Sequence, residues 1–297
     1  MNKFWKKVLH LGLPISTVMM SGNFTNAMNS ESSAEIAKSW SSKEELCMAR
    51  GNEGKVYKYQ SGFDIPDCYL NCVLKYTYRH LLDNDSLQDG VESDNLNKNM
   101  QCLQKLENKP LTENLMKVIH VFDKNYVALE YIPGFTYNHK KSLAESERRK
   151  LSKTDVKEWL RLIKSKAPLE IKPYGLNLGL NLFIEKWCIG LFNAQKTLKE
   201  IAGEFITDAH GDNIIIKDNI PVLIDYCFIV YKSKVEQTFR DMVDVLLDAL
   251  KTEVEIKPEE TEKAKKLREY LESIRFKTLS MENILEVLKE LNKIKDV

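Results

Sequence analysis

FITDAHGDNIIIKDNIPVLIDYCF, from Phe205 to Phe228, is the stretch whose reading decides the fold. Phe205 and Ile206 open it, and the polar side chains Asp208, His210, Asp212 and Asn213 crowd in behind them. The apolar run Ile214, Ile215, Ile216, the turn-prone Lys217-Asp218-Asn219 and a second run from Val222 to Ile224 predict a tight β-hairpin. The second strand ends on a carboxylate, Asp225. Asn213 stands five positions after Asp208, and Asp225 twelve beyond Asn213. One carboxylate, one amide carbonyl and a second carboxylate therefore converge at one end of the hairpin. Hard oxygen ligands of that kind suit Mg²⁺ carrying the phosphates of a nucleotide.

The stretch resembles the catalytic loop and metal-binding segment of the protein-kinase-like superfamily, where D-x-x-x-x-N is followed by a strand ending in Asp. The resemblance implies Asp208 as catalytic base, with Asn213 and Asp225 as metal ligands. Ile206-Thr207 stands where protein kinases carry His-Arg, and Tyr226-Cys227 where they carry Phe-Gly. His210 takes the place of a lysine usual in protein Ser/Thr kinases. Small-molecule phosphotransferases of the same fold, aminoglycoside phosphotransferases among them, often carry histidine there. His210 joins Asp208 as a candidate catalytic residue. Without the resemblance, the same residues read as a polar turn in an α+β domain.

Upstream, CMARGNEGKVYKY from Cys47 to Tyr59 resembles the kinase glycine-rich loop, with Ala49 at the first glycine position followed by Gly51 and Gly54. Such a loop uses glycine so that backbone amides can lie close over phosphate. Two glycines alone are a weak signal, because hairpin turns contain such pairs often. In the resemblance Val56 covers the adenine. The apolar strand Cys72-Val73-Leu74-Lys75 follows, and its lysine corresponds to the one that holds the α/β-phosphates.

A helix is predicted from Leu87 to Leu106, with Leu96, Met100, Leu103 and Leu106 on one stripe. Glu92 falls on that apolar face, where an acid is costly unless paired, which nominates it as partner of Lys75, with Glu107 as rival. A helix-end acid stabilised by the dipole is the plainer reading of Glu92. Strands are expected over Lys117–Phe122 and Tyr126–Tyr131. Glu130-Tyr131-Ile132-Pro133-Gly134 then resembles the hinge between kinase lobes, whose backbone bonds the adenine edge. Capping boxes at Ser142/Glu145 and Ser152/Asp155 mark further helices. Ile184, Cys188, Leu191, Gln195, Leu198 and Ile201 form the buried stripe of a helix closed by Gly203. Downstream, Asp241 opens MVDVLLDAL, which fits the family's buried helix after the activation segment. Only fifteen residues separate Asp225 from Asp241, and no A-P-E triplet appears.

The chain of 297 residues is long enough for two lobes. Its 43% apolar and 29% charged content, with net charge +1, is that of a globular protein and calls for neither nucleic acid nor an anionic membrane surface. The six cysteines have no zinc-like spacing; apolar company argues for buried thiols, although their even number leaves a disulfide between near neighbours open. Residues 1–27 read as an export signal: a basic start, a mostly apolar run from Val8 to Met20, and Ala27. That run is too short to span a bilayer. Residues 28–42, rich in Ser and Glu, read as a linker.

The expectation is an α+β, bilobal, protein-kinase-like fold, with a small β-rich N-lobe over 43–131 and a larger helical C-lobe over 132–297. The resemblance implies an ATP- and Mg²⁺-dependent transfer of a phosphoryl group to a hydroxyl of a small molecule or protein. Catalysis would fall to Asp208, Lys75 and His210. Nucleotide contacts would come from Ala49, Gly51, Gly54, Val56, Lys75, Glu92, Glu130 and Ile132. Two further readings stand beside this one: an exported protein Ser/Thr kinase acting in another cell, and a catalytically inactive pseudokinase. If residues 1–27 are not a signal, the enzyme is cytoplasmic.

Overall fold

Strand by strand, the N-terminal half builds one antiparallel sheet: β1 (Cys47–Arg50), β2 (Gly54–Lys58), β3 (Cys72–Thr77), β4 (Val118–Val121) and β5 (Tyr126–Glu130), in the order β1-β2-β3-β5-β4. This computed structural model describes residues 30–50, 54–61, 65–77, 89–133, 136–138, 176, 178–206, 208–226 and 232–297. The export signal over 1–27, Gly51, Gly134, Thr207, Cys227 and both predicted capping boxes lie outside the described residues, as do the side chains of Ala49 and Glu92.

Alternation along β3 sorts its side chains between two cores. Val73 joins the main core, while Leu74 joins a second cluster on the opposite face. Lys75 shares the face of Val73, and the register places it between Val56 of β2 and Val127 of β5. Helix α2 (Asp89–Leu106) covers that inner face with Cys102, Leu103 and Leu106 buried and Met100 packed alongside, as its stripe predicts.

The outer face is covered by a segment read from sequence as a linker. Residues 30–41 are instead a helix, α1 (Ser30–Ser41), that buries Ser33, Ala37 and Trp40. The spacing of four and then three residues aligns them on one helical face. Trp40 packs on Tyr59 and Tyr69, and its indole N–H donates to the Lys58 carbonyl at 3.2 Å. Burying one large aromatic outweighs the polar composition of the helix's exposed side.

The C-terminal half is mainly helical. Strand β6 (Leu178–Gly179) leads into α3 (Leu180–Phe183), a π-helical stretch Ile184–Ile189, and α4 (Gly190–Ala202). Ile184, Cys188, Leu191, Gln195 and Leu198 are buried, and Gly203 closes the helix at φ +85°, as read from sequence. The predicted hairpin is β7 (Ile214–Lys217) and β8 (Ile220–Leu223). Its two turn residues, Asp218 and Asn219, both have positive φ, as a type I′ turn requires. Helix α5 (Lys232–Thr252), β9 (Val254–Glu255, paired with β6), α6 (Thr261–Ile274) and α7 (Met281–Asp296) complete the chain. Among the described residues no helix is long and apolar enough to cross a membrane.

One buried side chain joins the two halves. Asn114, between α2 and β4, donates through Nδ2 to the Lys186 carbonyl (2.9 Å) in the π-helical stretch and to the Pro221 carbonyl (2.8 Å) in β8. A π turn displaces carbonyls from the regular ladder, and here one is taken up from outside. The Leu223 amide donates to the Asn114 carbonyl and the Met116 amide to the Leu223 carbonyl, so the connection after α2 runs along β8. Gly190 admits the Asn114 side chain: a Cβ there would lie 2.5 Å from its Oδ1.

Candidate active site

Gln195, the one polar member of the α4 stripe, fixes where the polar stretch begins. Its buried amide donates to the Ile206 carbonyl (3.3 Å) and accepts from the Ile206 amide (3.1 Å), two residues before Asp208. Ala209 is fully buried, whereas its neighbours Asp208 and His210 keep 28% and 36% of their side chains exposed. A single 3₁₀ turn, Gly211–Asn213, follows, and the His210 ring caps it by accepting the Asp212 amide at Nδ1 (3.2 Å). With Nδ1 so used, the proton of the neutral ring sits on Nε2, which lies 3.4 Å from Asp208 Oδ1.

Asn213 completes the turn. Its Nδ2 donates to the Asp208 carbonyl (2.9 Å) and to Asp208 Oδ2 (3.2 Å). Both carboxylate oxygens of Asp208 are therefore addressed, one by each neighbour. The hydrogen bond to Asp208 pushes the His210 pKa up against the opposing effect of burial, and the charges of Asp208, Asp212 and Asp241 add to the rise. Asp241 lies on α5, as the sequence placed it, and accepts from Gln237 (2.6 Å).

Pairing of Ile214 with Leu223 brings the residues before β7 and after β8 to one open end, where the Ile224 amide donates to the Asn213 carbonyl (3.0 Å). Asp225 follows immediately and forms an ion pair through Oδ1 with Lys75 Nζ, 150 residues away in sequence. Asp208, Asn213, Asp225 and Lys75 are thus brought to one place. Glu107, the rival partner of Lys75, is committed elsewhere: it bonds His120 Nδ1 (2.7 Å) and the Val121 amide (3.4 Å) on β4.

The remaining candidates line the sheet above. Val56 is half-buried against the main core and lies directly opposite Lys75. Gly54 has a packing reason of its own, since a Cβ there would meet the Tyr76 carbonyl oxygen at 2.1 Å. Close strand approach is thus a reason for that glycine independent of any phosphate. Glu130 ends β5, its amide bonded to Lys117 and its carboxylate to Lys217 Nζ (3.1 Å) of the β7–β8 hairpin. Ile132 is buried in the main core. Tyr226, where the resemblance has Phe, is buried too, and its hydroxyl donates to the Met116 carbonyl.

Sequence reading missed Asn138, which donates to Asp212 Oδ2 (3.0 Å). It also passed over Asn114 and the use of Gln195, although an amide in an apolar stripe was a signal for the latter. As to a nucleotide and its metal, the donor chemistry fits. Asn213 spends its Nδ2 on Asp208, which leaves its Oδ1 as an oxygen donor, and Asp225 follows Ile224, whose amide bonds the Asn213 carbonyl. Lys75 brings a cation to the same place.

No protein-family model and no curated protein matches the chain. Solved structures do. The pseudokinase drought responsive inactive kinase 1, in a co-crystal with ENMD-2076, aligns with a TM-score of 0.50 at 12% identity, over 89% of this chain and 95% of its own. The apo structure of a pseudokinase aligns equally well, at 0.50 and 12%, over 89% and 92%. With its five-stranded sheet, crossing helix and helical second half, the chain has the bilobal protein-kinase-like fold.

Proposed function

We propose that the chain is a phosphotransferase that moves the γ-phosphoryl group of ATP to a hydroxyl. One observation carries the reading: the Lys75–Asp225 ion pair stands at the open end of the same hairpin whose first strand begins at the bonded Asp208–Asn213 pair. Lys75 neutralises phosphate charge, and Asn213 with Asp225 holds the metal. Asp208, held through both oxygens, orients the acceptor hydroxyl and takes its proton. Backbone around Glu130–Ile132 meets the adenine edge. Mg²⁺ with ATP supplies the electrophilic phosphorus and offsets charge on its oxygens. His210 and the short Asp225–Asp241 span favour a small hydroxylated acceptor over a protein.

A second reading, a nucleotide-binding module without turnover, is favoured by one feature. His210 and Asn213 already engage both oxygens of Asp208, which lowers its readiness to accept a proton. Labelled ATP with Mg²⁺, offered to generic proteins and a panel of hydroxylated small molecules, separates the readings. Transfer is expected, and Asp208→Asn should lower turnover by roughly 10²–10⁴ with nucleotide binding little changed. Thermal stabilisation by ATP should need Mg²⁺ and vanish in Asp225→Ala. Mg²⁺-dependent stabilisation without transfer or hydrolysis would establish the binding module; no stabilisation at all would remove both.

A further inference from the structure

The segment just after the hinge touches the catalytic turn in ways the proposed reaction does not yet use. Thr136 forms an antiparallel bridge with Ile215 of β7. Tyr137 is buried against Trp187, and its hydroxyl donates to Asp248 Oδ2 of α5 (2.8 Å). The next residue, Asn138, reaches the Gly211–Asn213 turn itself. Its Nδ2 donates to Asp212 Oδ2, and its amide lies against the Gly211 Cα: a Cβ on Gly211 would sit 2.3 Å from Asn138 Oδ1 and 2.7 Å from its Cγ. Gly211 is buried, so the turn has no room to move toward Asn138. Asp212 is held from the other side as well, its amide on His210.

We propose that Asn138 is a positioning residue that sets the Gly211–Asn213 turn, and through it Asn213, from the strand–hinge side of the cleft. The proposal rests on the reading of Asn213 as a metal ligand only for its consequence, not for the contact. Two bonded neighbours of the turn, His210 within the loop and Asn138 from outside it, clamp Asp212 between them. Asn213, the next residue, inherits that placement. The hinge stretch Glu130–Gly134 ends four residues before Asn138 in the sequence.

Two measurements on the full chain test it. Hydrogen exchange over residues 208–216 should accelerate about three- to tenfold in Asn138→Ala, the loss of one hydrogen bond, while the α4 amides keep their rates. The Mg²⁺ concentration that half-saturates ATP-induced thermal stabilisation should rise by a similar factor. Asn138→Asp sets two carboxylates against each other and should do worse. The swapped pair N138D/D212N restores a donor and an acceptor and should return both readouts toward wild type. Unchanged exchange in Asn138→Ala, or no recovery in the swapped pair, would overturn the proposal. Exchange that changes as expected in a protein lacking Mg²⁺-dependent stabilisation would uphold the clamp and sink the phosphotransferase reading alone.

Discussion

His210 is the side chain whose charge bears most directly on the Gly211–Asn213 turn. Its folded pKa is raised by Asp208, so protonation stabilises the native state. That contribution is fully present below the unfolded value of about 6.5 and is lost as pH rises through the raised folded value. The stability difference between wild type and His210→Gln should therefore shrink as pH rises above about 6.5, as read from denaturant midpoints. Tyr226 behaves differently. Burial pushes its phenol well above the usual tyrosine range, so it stays a neutral donor to Met116. Tyr226→Phe keeps the ring and should cost about 1 kcal/mol, the net worth of one buried hydrogen bond; a loss of nothing would mean the bond is not formed in solution. The gathering of Asp208, Asn213 and Asp225 at one end of a hairpin was legible in the local pattern of the stretch, whereas the Lys75–Asp225 pair spans 150 residues and was not. Asn138 was not, since it meets Asp212 across 74 residues and no local pattern announces such a contact.

Elements were legible where periodicity and turn chemistry agreed. The hairpin, the α4 stripe and its Gly203 cap all obey local rules, and β3, β4 and β5 fall where their apolar runs lie. Helix α1 was misread because a Ser- and Glu-rich composition, with Glu35 and Lys38 exposed, masks a face of Ser33, Ala37 and Trp40. Only tertiary burial reveals that face. The junction of the π-helical stretch with α4 offers a sharper test. Alanine is the better helix former by about 1 kcal/mol, which alone would make Gly190→Ala stabilising. The new methyl would instead enter the Asn114 side chain, whose amide is committed to two carbonyls and cannot turn away. Overpacking of about 1–3 kcal/mol should win, lowering the melting temperature. A raised melting temperature would show that Asn114 is free to shift.

Across the whole molecule one apolar core runs from Val73 under the sheet to Leu291 of α7, with a second cluster confined to the outer face of the sheet. The described cysteines sample both. Burial pushes the Cys72 thiol up to about 12 in the outer cluster and raises Cys102 and Cys188 in the main core, whereas Cys68 is exposed. Alkylation of the native protein should label Cys68 first among these, and Cys72, Cys102 and Cys188 only as the fold opens. Mass spectrometry against denaturant would follow it; early labelling of Cys188 would contradict a continuous core. The Asn114 junction bears on how such a molecule moves. With the α2–β4 connection bonded along β8 and to the π-helical stretch, any movement of the sheet against the helical half would have to pivot at these bonds or break them. Lys217 and Glu130 add a second, more exposed tie between the hairpin and the end of β5, one that salt should weaken long before the buried Asn114 bonds.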